Sequence, residues 1–445
     1  RLSSTIVRRE LLPSIPEQVT IRGGSQLQGL VRAPPSKSHT HRSVIASSLS
    51  PEKSRIENPS LNEDVRATIG AVEAYGTKVE LREGSLAVVG VDQIETPADV
   101  VSCRESASTA RFVTPILSHA KGISVVTGGP SLRKRPMQPL LDAMRQLGVL
   151  CYSVRSDGHV PLVLFGPTYM GGRVQVVGDV SSQFISGLLF SAPLGPRPTS
   201  IEVSTPLESK PYVHMTLEVL RRHGIEVQAN TDLTQFTVRG EQSARTYDHL
   251  IEGDYSSAAF VLAAGAVTGS EIGVSGLRTS GSIQGDSKVL SILRDMGVET
   301  HAEGDSVWIR RTRLRATEID ATDIPDLIPP LAVVACYAQG TTKITNAERL
   351  RVKESNRLRA LSSELGKMNA KIQETNDGLE ITGVPSLGGA KVDSYGDHRI
   401  AMACVVAALG AKGRTILDRA ACVTKSYPGF FEDLKNLGGD ALVGE

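Results

Sequence analysis

The sequence predicts an α/β protein built from six copies of one βαβαββ unit, three in each of two domains. Six helix-like apolar patterns end with a Gly or Asn at the position that favours a left-handed backbone: Gly76, Gly148, Gly224, Gly297, Asn369 and Gly438. These endings are 72, 76, 73, 72 and 69 residues apart. Such a constant spacing indicates duplication of a supersecondary unit. The length of 445 residues exceeds what one hydrophobic core holds, so we expect two domains.

A second helix-forming segment lies about halfway between successive endings. The six segments begin at Ser36, Glu105, Ser181, Asp254, Asp323 and Gly396. Ser, Thr and Asp cap helix N-termini, and the apolar, alanine-rich continuations are typical of helices buried on most sides. Each unit therefore combines one buried helix, one amphipathic helix and the strands around them. Helix N-termini that converge would bind anions, although each cap taken alone also serves as a cap only.

The composition excludes several classes of function. The net charge of +1 argues against a nucleic-acid or membrane surface as the main partner, and no apolar run approaches the roughly 20 residues that span a bilayer. The five cysteines lack CxxC spacing, which favours a reducing compartment and no structural metal site. We find no metal-ligand spacing, Walker loop or dinucleotide fingerprint, so we expect no cofactor and no metal.

Basic residues are concentrated at loop-to-helix junctions of this nearly neutral chain. They are Lys37 and Arg42, Arg133 to Arg135, Lys210, five residues between Arg349 and Arg359, Arg399, and Lys425. Arg binds carboxylate and phosphate through two parallel bonds, whereas Lys acts as a point charge. The pattern predicts small polyanionic ligands. For the segment 349–359 a solvated helix face with i,i+4 ion pairs is the alternative interpretation.

Two acidic residues lie close to these basic ones in the sequence. Asp326 stands in the proline-bounded apolar segment IPDLIPP, where a carboxylate must find partners or shift its pKa. Glu354 directly follows Lys353. A carboxylate and an ammonium group that face a bound anion can exchange protons with it.

Eight of these segments, in this order, resemble the 3-phosphoshikimate 1-carboxyvinyltransferase (EPSP synthase) family of enolpyruvyl transferases. The matching segments are SKSHTHR, SSQFISG, SKPYVHMTL, GDYSSAAFVLAAGA, DIPDLIPPLAV, RLRVKESNRL, GDHRIAMA and CVTKSYPGFFEDL. The resemblance implies a two-domain inside-out α/β barrel whose domains close over a cleft. It places residues 1–33 and 253–445 in one domain and 34–252 in the other, each with three repeats.

The resemblance also implies a reaction of the shikimate pathway, which leads to chorismate and the aromatic amino acids. The family transfers the enolpyruvyl group of phosphoenolpyruvate to the 5-hydroxyl of 3-phosphoshikimate and releases phosphate. The expected ligands of 3-phosphoshikimate are Ser38, Arg42, Ser181, Ser182, Gln183, Ser209, Tyr212 and Lys353. Those of phosphoenolpyruvate are Lys37, Ala107, Arg357, Arg399 and Lys425. Asp326 is the expected base on the 5-hydroxyl, and Glu354, assisted by Lys37, is expected to protonate the methylene carbon. His398 is expected to orient its neighbours.

The chain departs from the family pattern at two positions. Ala107 stands where the family usually has Gly, and its methyl group should narrow the phosphoenolpyruvate site and weaken glyphosate binding. Ser131 stands where the family usually has an Arg for the phosphoenolpyruvate carboxylate, and Arg133 is a candidate replacement. Loss of such a charge-assisted contact costs on the order of 2–4 kcal/mol.

These departures leave alternatives. One is a catalytically weakened paralogue that still binds 3-phosphoshikimate. Another is the sister enzyme acting on UDP-N-acetylglucosamine, but Pro130 occupies the position of its loop Cys. RNA 3′-phosphate cyclase shares a similar repeat but should be more basic. We expect a cytoplasmic monomer whose partners are its two substrates; a plastid location would require a processed N-terminus.

Overall fold

The chain divides into two units, Pro35–Ile251 and a second unit of residues 15–34 with 252–443. The structure is a computed structural model that describes residues 15–443, with side chains described for 15–440. The predicted domains also include residues 1–14, 444 and 445, which lie outside the described residues. Each unit has its own hydrophobic core.

Twelve α-helices are described, six in each unit. The unit Pro35–Ile251 contains α1 (Lys37–Ser48), α2 (Glu63–Glu73), α3 (Ala107–Leu117), α4 (Gln138–Gln146), α5 (Ser182–Ser191) and α6 (Lys210–Arg222). The second unit contains α7 (Tyr255–Thr268), α8 (Val289–Asp295), α9 (Ile328–Ala335), α10 (Arg357–Lys367), α11 (His398–Gly410) and α12 (Phe430–Asn436).

The described residues also form 24 strands. Two precede α1: β1 (Gln18–Arg22) and β2 (Gln28–Arg32). Twelve belong to Pro35–Ile251: β3 (Lys53–Glu57), β4 (Lys78–Arg82), β5 (Ser85–Val89), β6 (Val101–Ser102), β7 (Gly122–Thr127), β8 (Leu150–Ser153), β9 (Leu162–Gly166), β10 (Gly172–Val176), β11 (Thr199–Val203), β12 (Val227–Ala229), β13 (Gln235–Val238) and β14 (His249–Leu250). Ten follow: β15 (Glu271–Ser275), β16 (Val298–Glu303), β17 (Ser306–Arg311), β18 (Glu318–Asp320), β19 (Thr341–Thr345), β20 (Lys371–Glu374), β21 (Leu379–Thr382), β22 (Lys391–Asp393), β23 (Arg414–Asp418) and β24 (Ala441–Val443).

The strands form six four-stranded sheets with one shared pattern. In Pro35–Ile251 the orders are β14-β3-β5-β4, β6-β7-β9-β8 and β10-β11-β13-β12. In the second unit they are β2-β15-β17-β16, β18-β19-β21-β20 and β22-β23-β1-β24. The first two strands of every sheet run parallel, and the remaining neighbours run antiparallel. The fold is therefore a mixed α/β fold of small, repeated sheets.

Three sheets are completed by strands from distant parts of the chain. β14 pairs with β3, β2 with β15, and β1 lies between β23 and β24. The pairing of β1 joins Gln18 to Asp418, whose side chains are hydrogen bonded at 2.7 Å. The first strands of the chain thus belong to the same unit as its last repeat.

The six predicted helix endings are confirmed. Gly76, Gly148, Gly224, Gly297, Asn369 and Gly438 all have a positive φ, between 68° and 106°. Gly suits this region because it has no Cβ, and Asn is one of the few other residues that tolerate it. At Gly297 a Cβ would also lie 2.3 Å from the carbonyl oxygen of Arg313, so packing as well as φ requires glycine there.

The helices predicted to be buried form the centre of each core. All residues of α7 except Thr268 are buried, and α7, α9 and α11 pack against one another. In the other unit α3 packs on α1 and α5. The helices α7, α9 and α11 have no polar face, which explains their runs of Ala, Val and Leu.

Side chains cap five of these six helices, as their sequences suggest. Ser36, Ser106, Ser181, Asp254 and Asp397 each accept a hydrogen bond from a backbone N–H of the first turn. The segment beginning at Asp323 differs, because a 3₁₀ turn at Pro325–Leu327 precedes α9 and no side chain caps that helix. Pro329 and Pro330 lie in its first turn and have no N–H to cap. Within the described residues no helix is long and apolar enough to cross a membrane.

Candidate functional site

The predicted site residues fall into two groups, one in each unit, and each group also contains one residue that was not predicted, Arg111 in the first and Asp397 in the second. The first, here called the Lys37 group, comprises Lys37, Ser38, Arg42, Ala107, Arg111, Ser181, Ser182, Gln183, Ser209 and Tyr212, and lies in Pro35–Ile251. The second, the Arg357 group, comprises Asp326, Lys353, Glu354, Arg357, Asp397, Arg399 and Lys425, and lies in the second unit.

Lys37 is the first residue of α1, directly after the capping Ser36. Its Nζ donates to Asp64 Oδ2 at 2.9 Å, and both side chains are largely buried, at 15% and 12% exposure. The neighbouring His41 is fully buried. Burial, together with the charges of Lys37 and Arg42, lowers the pKa of His41 to about 3, against the opposing effect of Asp64. His41 is therefore neutral, and the local charges belong to Lys37, Asp64 and Arg42.

The structure brings Arg42 together with Ser38 and Tyr212. Its Nη1 donates to the Ser38 carbonyl at 2.9 Å and its Nε to Thr216 Oγ1 at 2.8 Å. The guanidinium lies over the rings of Phe112 and Tyr212, 5.1 and 5.8 Å from their centroids. Burial lowers the pKa of Arg42 to about 10, which leaves it charged at neutral pH.

The start of α5 collects three further predicted residues around an arginine that the sequence reasoning missed. Ser181 caps the helix, and Ser182 and Gln183 follow. Arg111 Nη1 donates to Ser181 Oγ at 3.1 Å and to Gln183 Oε1 at 2.8 Å. Arg111 is 4% exposed and lies within the apolar helix α3. An arginine within an apolar helix is the feature of the sequence that could have indicated Arg111. A buried guanidinium needs anionic or polar partners.

Ser209 precedes α6 in a left-handed conformation, with φ of 58°. It is buried, and its carbonyl accepts from the Tyr212 N–H at 3.0 Å. Non-glycine residues in this region cost about 1–3 kcal/mol and cluster at functional sites.

The loop 128–136 contains Ser131, which stands where the family usually has an Arg. It is tied to Glu105, whose Oε2 accepts from the Leu132 N–H at 2.9 Å. Arg133, the candidate replacement, is exposed and turns back to donate from Nε to the Gly128 carbonyl at 2.8 Å. Arg135 is buried instead. The sequence reasoning did not single out Arg135, because burial within a run of three basic residues is not visible from composition.

The Arg357 group is centred on one guanidinium that contacts three carboxylates. Arg357 begins α10 and is 1% exposed. It donates to Asp326 Oδ1 at 3.0 Å, to Glu354 Oε2 at 2.8 Å and to Asp397 Oδ2 at 2.8 Å. Burial lowers the pKa of Arg357, but the three carboxylates outweigh burial and raise it overall. The two acids predicted for proton transfer are thus held by the same side chain.

Asp326 has a second arginine partner. Arg399 Nη2 donates to Asp326 Oδ2 at 3.0 Å, and its Nη1 to the Asp326 carbonyl at 3.2 Å. Two guanidinium groups stabilise the negative charge of this carboxylate. Nearby Asp286 is buried and accepts a hydrogen bond from Ser256 Oγ. Burial and the charge of Asp326 raise the pKa of Asp286 to about 7, so this acid, which the sequence reasoning missed, titrates near neutrality.

Asp397 organises the start of α11 and was also missed. Besides binding Arg357, it accepts from the Arg399 N–H at 2.9 Å and from Ser355 Oγ at 3.1 Å. Lys425 contacts the residue that precedes Asp397, because its Nζ donates to the Gly396 carbonyl at 3.1 Å. Lys353 directly precedes Glu354 at the end of a 3₁₀ helix, and His398 is buried beside Asp397. The predicted cations and acids of this unit therefore lie around Asp326 and Asp397.

Within residues 15–440, no cluster of three or more His, Cys, Asp or Glu side chains is placed to hold a metal ion. The fold and the two groups define an α/β protein that is built from repeats. Its arginines and lysines, which are paired with carboxylates and hydroxyls, suit small phosphorylated carboxylic acids.

Comparison with known proteins identifies the family. Residues 21–434 match the model of the family described as EPSP synthase (3-phosphoshikimate 1-carboxyvinyltransferase), and the chain belongs to this family. It is 40% identical to a 3-phosphoshikimate 1-carboxyvinyltransferase of Methanocaldococcus jannaschii, over 95% of this chain and 99% of that protein. It is 44% identical to one of Methanocorpusculum labreanum, over 94% and 97%. The structure of an EPSP synthase from Acinetobacter baumannii is similar, with a TM-score of 0.80 and 25% identity, over 96% of this chain and 100% of that one.

Proposed function

We propose that the chain transfers the enolpyruvyl group of phosphoenolpyruvate to the 5-hydroxyl of 3-phosphoshikimate and releases phosphate. The observation that carries the proposal is Arg357, which holds both Asp326 and Glu354 within 3.0 Å of its guanidinium. A site for two phosphorylated carboxylates needs buried cations, and a proton-shuttling reaction needs acids fixed beside them. Relatives that bear this enzyme's name match nearly the whole chain.

We propose that the Lys37 group binds 3-phosphoshikimate. Arg42 and the hydroxyls of Ser38, Ser181, Ser182, Ser209 and Tyr212, with the Gln183 amide, offer donors to a phosphate and to ring hydroxyls. Lys353 would add a cation from the second unit. The buried Arg111 supports this assignment, because it fixes Ser181 and Gln183 in place.

We propose that Lys37, Arg357, Arg399 and Lys425 bind phosphoenolpyruvate, and that Ala107 bounds its site. Arg135 is a better candidate than Arg133 for the carboxylate contact that Ser131 lacks, since Arg135 is buried whereas Arg133 is bonded to its own loop. The reaction requires residues of both units to act on the same substrates. We therefore also propose the two-domain inside-out α/β barrel, with 1–33 and 253–445 in one domain and 34–252 in the other.

The proposed chemistry has two steps. In the first, Glu354, with Lys37, protonates the methylene carbon of phosphoenolpyruvate while the 5-oxygen adds to its central carbon and Asp326 accepts the hydroxyl proton. The product is a tetrahedral ketal that carries the phosphate. In the second step the methyl carbon returns a proton to Glu354, the C–O bond to phosphate breaks, the leaving phosphate takes the proton held by Asp326, and the enol ether remains. The surrounding cations stabilise the phosphate as it leaves.

Phosphate release from phosphoenolpyruvate, with and without 3-phosphoshikimate, tests the proposal. We expect release only with 3-phosphoshikimate, and a loss of on the order of 10²–10⁴-fold in Glu354→Gln. Glu299→Gln, which removes an exposed carboxylate paired with Arg310, is the matched control and should retain full activity. Binding of 3-phosphoshikimate without any turnover would favour the weakened paralogue, which no observation favours at present.

A further inference from the structure

The turn that leads into α11 has a backbone conformation that its sequence does not favour. Residues 394–397 join β22 to α11, and the Asp397 N–H closes the turn by donating to the Ser394 carbonyl at 2.9 Å. The two central residues, Tyr395 and Gly396, both have a positive φ, of 55° and 70°. A β-turn with positive φ at both central residues is normally occupied by Gly, Asn or Asp, whereas a bulky residue tolerates it poorly. The surroundings must therefore hold Tyr395 in this conformation.

A buried carboxylate in α10 anchors this turn. The Tyr395 hydroxyl donates to Glu364 Oε1 at 2.7 Å, and the Glu364 side chain is fully buried. Glu364 Oε2 accepts from the Asp393 N–H at 2.9 Å, and Lys367 pairs with the same carboxylate at 2.6 Å. Arg419 lies over the Tyr395 ring, 5.6 Å from its centroid. Hydrogen bonds to an ionised acceptor are about twice as strong as neutral ones. Glu364 therefore fixes both the residue before the turn and the central side chain of the turn.

The turn also carries groups of the candidate site. Lys425 Nζ donates to the Gly396 carbonyl at 3.1 Å. Asp397, the next residue, accepts from Arg357 Nε at 2.8 Å. The direction of a carbonyl follows from the backbone dihedral angles around it, so a change in the φ of Tyr395 or Gly396 would move this acceptor. The position of the Lys425 ammonium group therefore depends on the conformation of Tyr395.

The second repeat has an equivalent turn without this anchor. There Arg104, with a φ of 49°, occupies the position of Tyr395, and a backbone hydrogen bond of 2.9 Å closes the turn. Ala71 occupies the position of Glu364, since each stands five residues before the left-handed residue that ends its helix. An alanine side chain has no atom that can accept a hydrogen bond. The left-handed turn thus belongs to the repeated fold, whereas its bond to a buried carboxylate belongs to the repeat that carries Lys425.

We propose that Tyr395, anchored by Glu364, is a positioning residue that holds Lys425 in place for phosphoenolpyruvate. This role rests on the proposed function, in which Lys425 binds that substrate. The link acts through the Gly396 carbonyl, which bonds to Lys425. We therefore expect it to affect phosphoenolpyruvate far more than 3-phosphoshikimate.

Tyr395→Phe removes the hydroxyl and keeps the ring, and steady-state kinetics with each substrate varied in turn measure the effect. We expect the KM for phosphoenolpyruvate to rise about three- to tenfold, as for the loss of one hydrogen bond, while kcat and the KM for 3-phosphoshikimate change less than about twofold. A merely structural role would instead lower kcat through a smaller active fraction. An unchanged KM for phosphoenolpyruvate, with or without a fall in kcat, or equal increases in both KM values would overturn the proposal.

Tyr337→Phe is the matched control, because it makes the same change in the same unit. The Tyr337 hydroxyl donates to the Ala407 carbonyl at 3.1 Å, about 14 Å along α11 from the start of that helix. All three kinetic constants of this variant should equal those of the parent. A rise in the KM for phosphoenolpyruvate as large as that of Tyr395→Phe would contradict a specific role of Tyr395.

A second pair of variants tests whether the conformation of the turn transmits the effect. Tyr395→Asn and Tyr395→Val both remove the ring and its bond to Glu364, but asparagine tolerates a left-handed backbone and a β-branched residue does not. We expect the KM for phosphoenolpyruvate to be at least about threefold higher in Tyr395→Val than in Tyr395→Asn. Equal KM values in the two variants would contradict the proposal.

Chemical labelling of Lys425 separates the failure of this proposal from the failure of the proposed function. Acetic anhydride acetylates lysine amines, and mass spectrometry measures the rate at Lys425 relative to the exposed Lys371 of the same molecule. We expect faster acetylation of Lys425 in Tyr395→Val than in the parent, because its ammonium group loses a fixed carbonyl partner. An unchanged rate would overturn the proposal even if the parent is active. If the parent released no phosphate, a faster rate would still show that Tyr395 positions Lys425, and only the assigned substrate would be wrong.

Discussion

Asp64 holds Lys37 by a hydrogen-bonded ion pair of 2.9 Å that is largely shielded from water. Lys37 is the cation that the proposed mechanism uses to assist proton transfer, so its position depends on an acid 27 residues further along the chain. Asp64 is therefore a positioning residue for the proposed reaction.

We expect Asp64→Asn to lower kcat/KM by about tenfold to a hundredfold, because the amide can accept a bond but no longer stabilises the ammonium charge. The acidic and basic limbs of the pH–rate profile should also move, since the charge beside Lys37 has changed. Steady-state kinetics between pH 5 and 9 measure both. Glu63→Gln, one residue earlier at the start of α2, is the control. An unchanged pH profile in Asp64→Asn would show that the acid serves stability only.

Arg135→Met and Arg133→Met form a matched pair at the loop that lacks the family Arg. We expect Arg135→Met to raise the KM for phosphoenolpyruvate by on the order of 10²-fold, because a buried charge-assisted contact is lost. Arg133→Met should change KM less than twofold, since its guanidinium bonds only to its own loop. The opposite ranking would return the role to Arg133.

Ala107→Gly should increase sensitivity to glyphosate. Ala107 is buried at the first position of α3, and removal of its methyl group widens the proposed phosphoenolpyruvate site. One methyl group in a pocket discriminates by about 10–200-fold. We expect the inhibition constant to fall at least tenfold, measured as competition against phosphoenolpyruvate. Tight inhibition of the unmodified protein at low glyphosate concentration would refute the steric argument.

Arg357→Lys should destabilise the second unit by about 3–5 kcal/mol, because an ammonium cannot bond to three carboxylates and leaves buried negative charges uncompensated. Urea unfolding followed by Trp308 fluorescence measures this, since the only tryptophan of the chain lies in β17 of the same unit. Arg310→Lys, whose pair with Glu299 is exposed, should stay within about 0.5 kcal/mol. Equal effects would mean that the Arg357 contacts add no stability.

Each unit contains buried groups whose pKa shifts affect its stability in acid, and the histidines of one unit act oppositely to Asp286 of the other. Burial lowers the pKa of His41 to about 3, of His223 to about 4 and of His249 to about 2, and all three lie in Pro35–Ile251. They are neutral when folded but take up protons once unfolded below about pH 6.5. Stability of this unit is therefore full above pH 6.5 and falls as the pH decreases, by up to about 1.4 kcal/mol per histidine and pH unit.

In the second unit, Asp286 has the opposite effect on the pH dependence of stability. Its raised pKa of about 7 means that the folded state binds the proton more tightly than the unfolded state does, so this contribution grows as the pH falls from 7 towards 4. Urea unfolding at pH 8, 6 and 5 should show circular dichroism changing before Trp308 fluorescence at the lowest pH. His249→Gln should weaken the dependence, whereas His301→Gln, an exposed control, should not. Coincident transitions at every pH would contradict the expectation.

The sequence predicts the parts of this fold that depend on neighbours along the chain. Gly148 and Asn369 mark helix ends because a left-handed residue is a local requirement, and Asp254 marks a helix start for a similar reason. Asp323 does not mark the start of α9 in the same way, since a 3₁₀ turn precedes that helix and prolines occupy its first turn. No local pattern indicates that β14 completes the sheet of β3.

The residues of the candidate site also differ in how far the sequence indicates them: some stand in recognisable local segments, and others matter through contacts with distant residues. Lys37, Arg357 and Asp326 stand in recognisable segments, so their charge and setting drew attention to them and the resemblance supplied their expected roles. Arg111 and Asp286 were missed because their importance lies in contacts with residues 70 and 30 positions away, Ser181 and Ser256. Burial of a charged side chain is a property of the folded chain, and composition alone does not reveal it.

The place of β1 between β23 and β24 has a consequence for synthesis on the ribosome. Gln18 and Asp418, which bond across that sheet, are 400 residues apart. At about 5–20 residues per second, β1 waits roughly 20–80 s before its neighbouring strands exist. During that interval all of Pro35–Ile251 is synthesised, so this unit is complete before the sheet that contains β1 can form. A gene fragment that encodes only 252–445 would lack the strand at the centre of its last sheet.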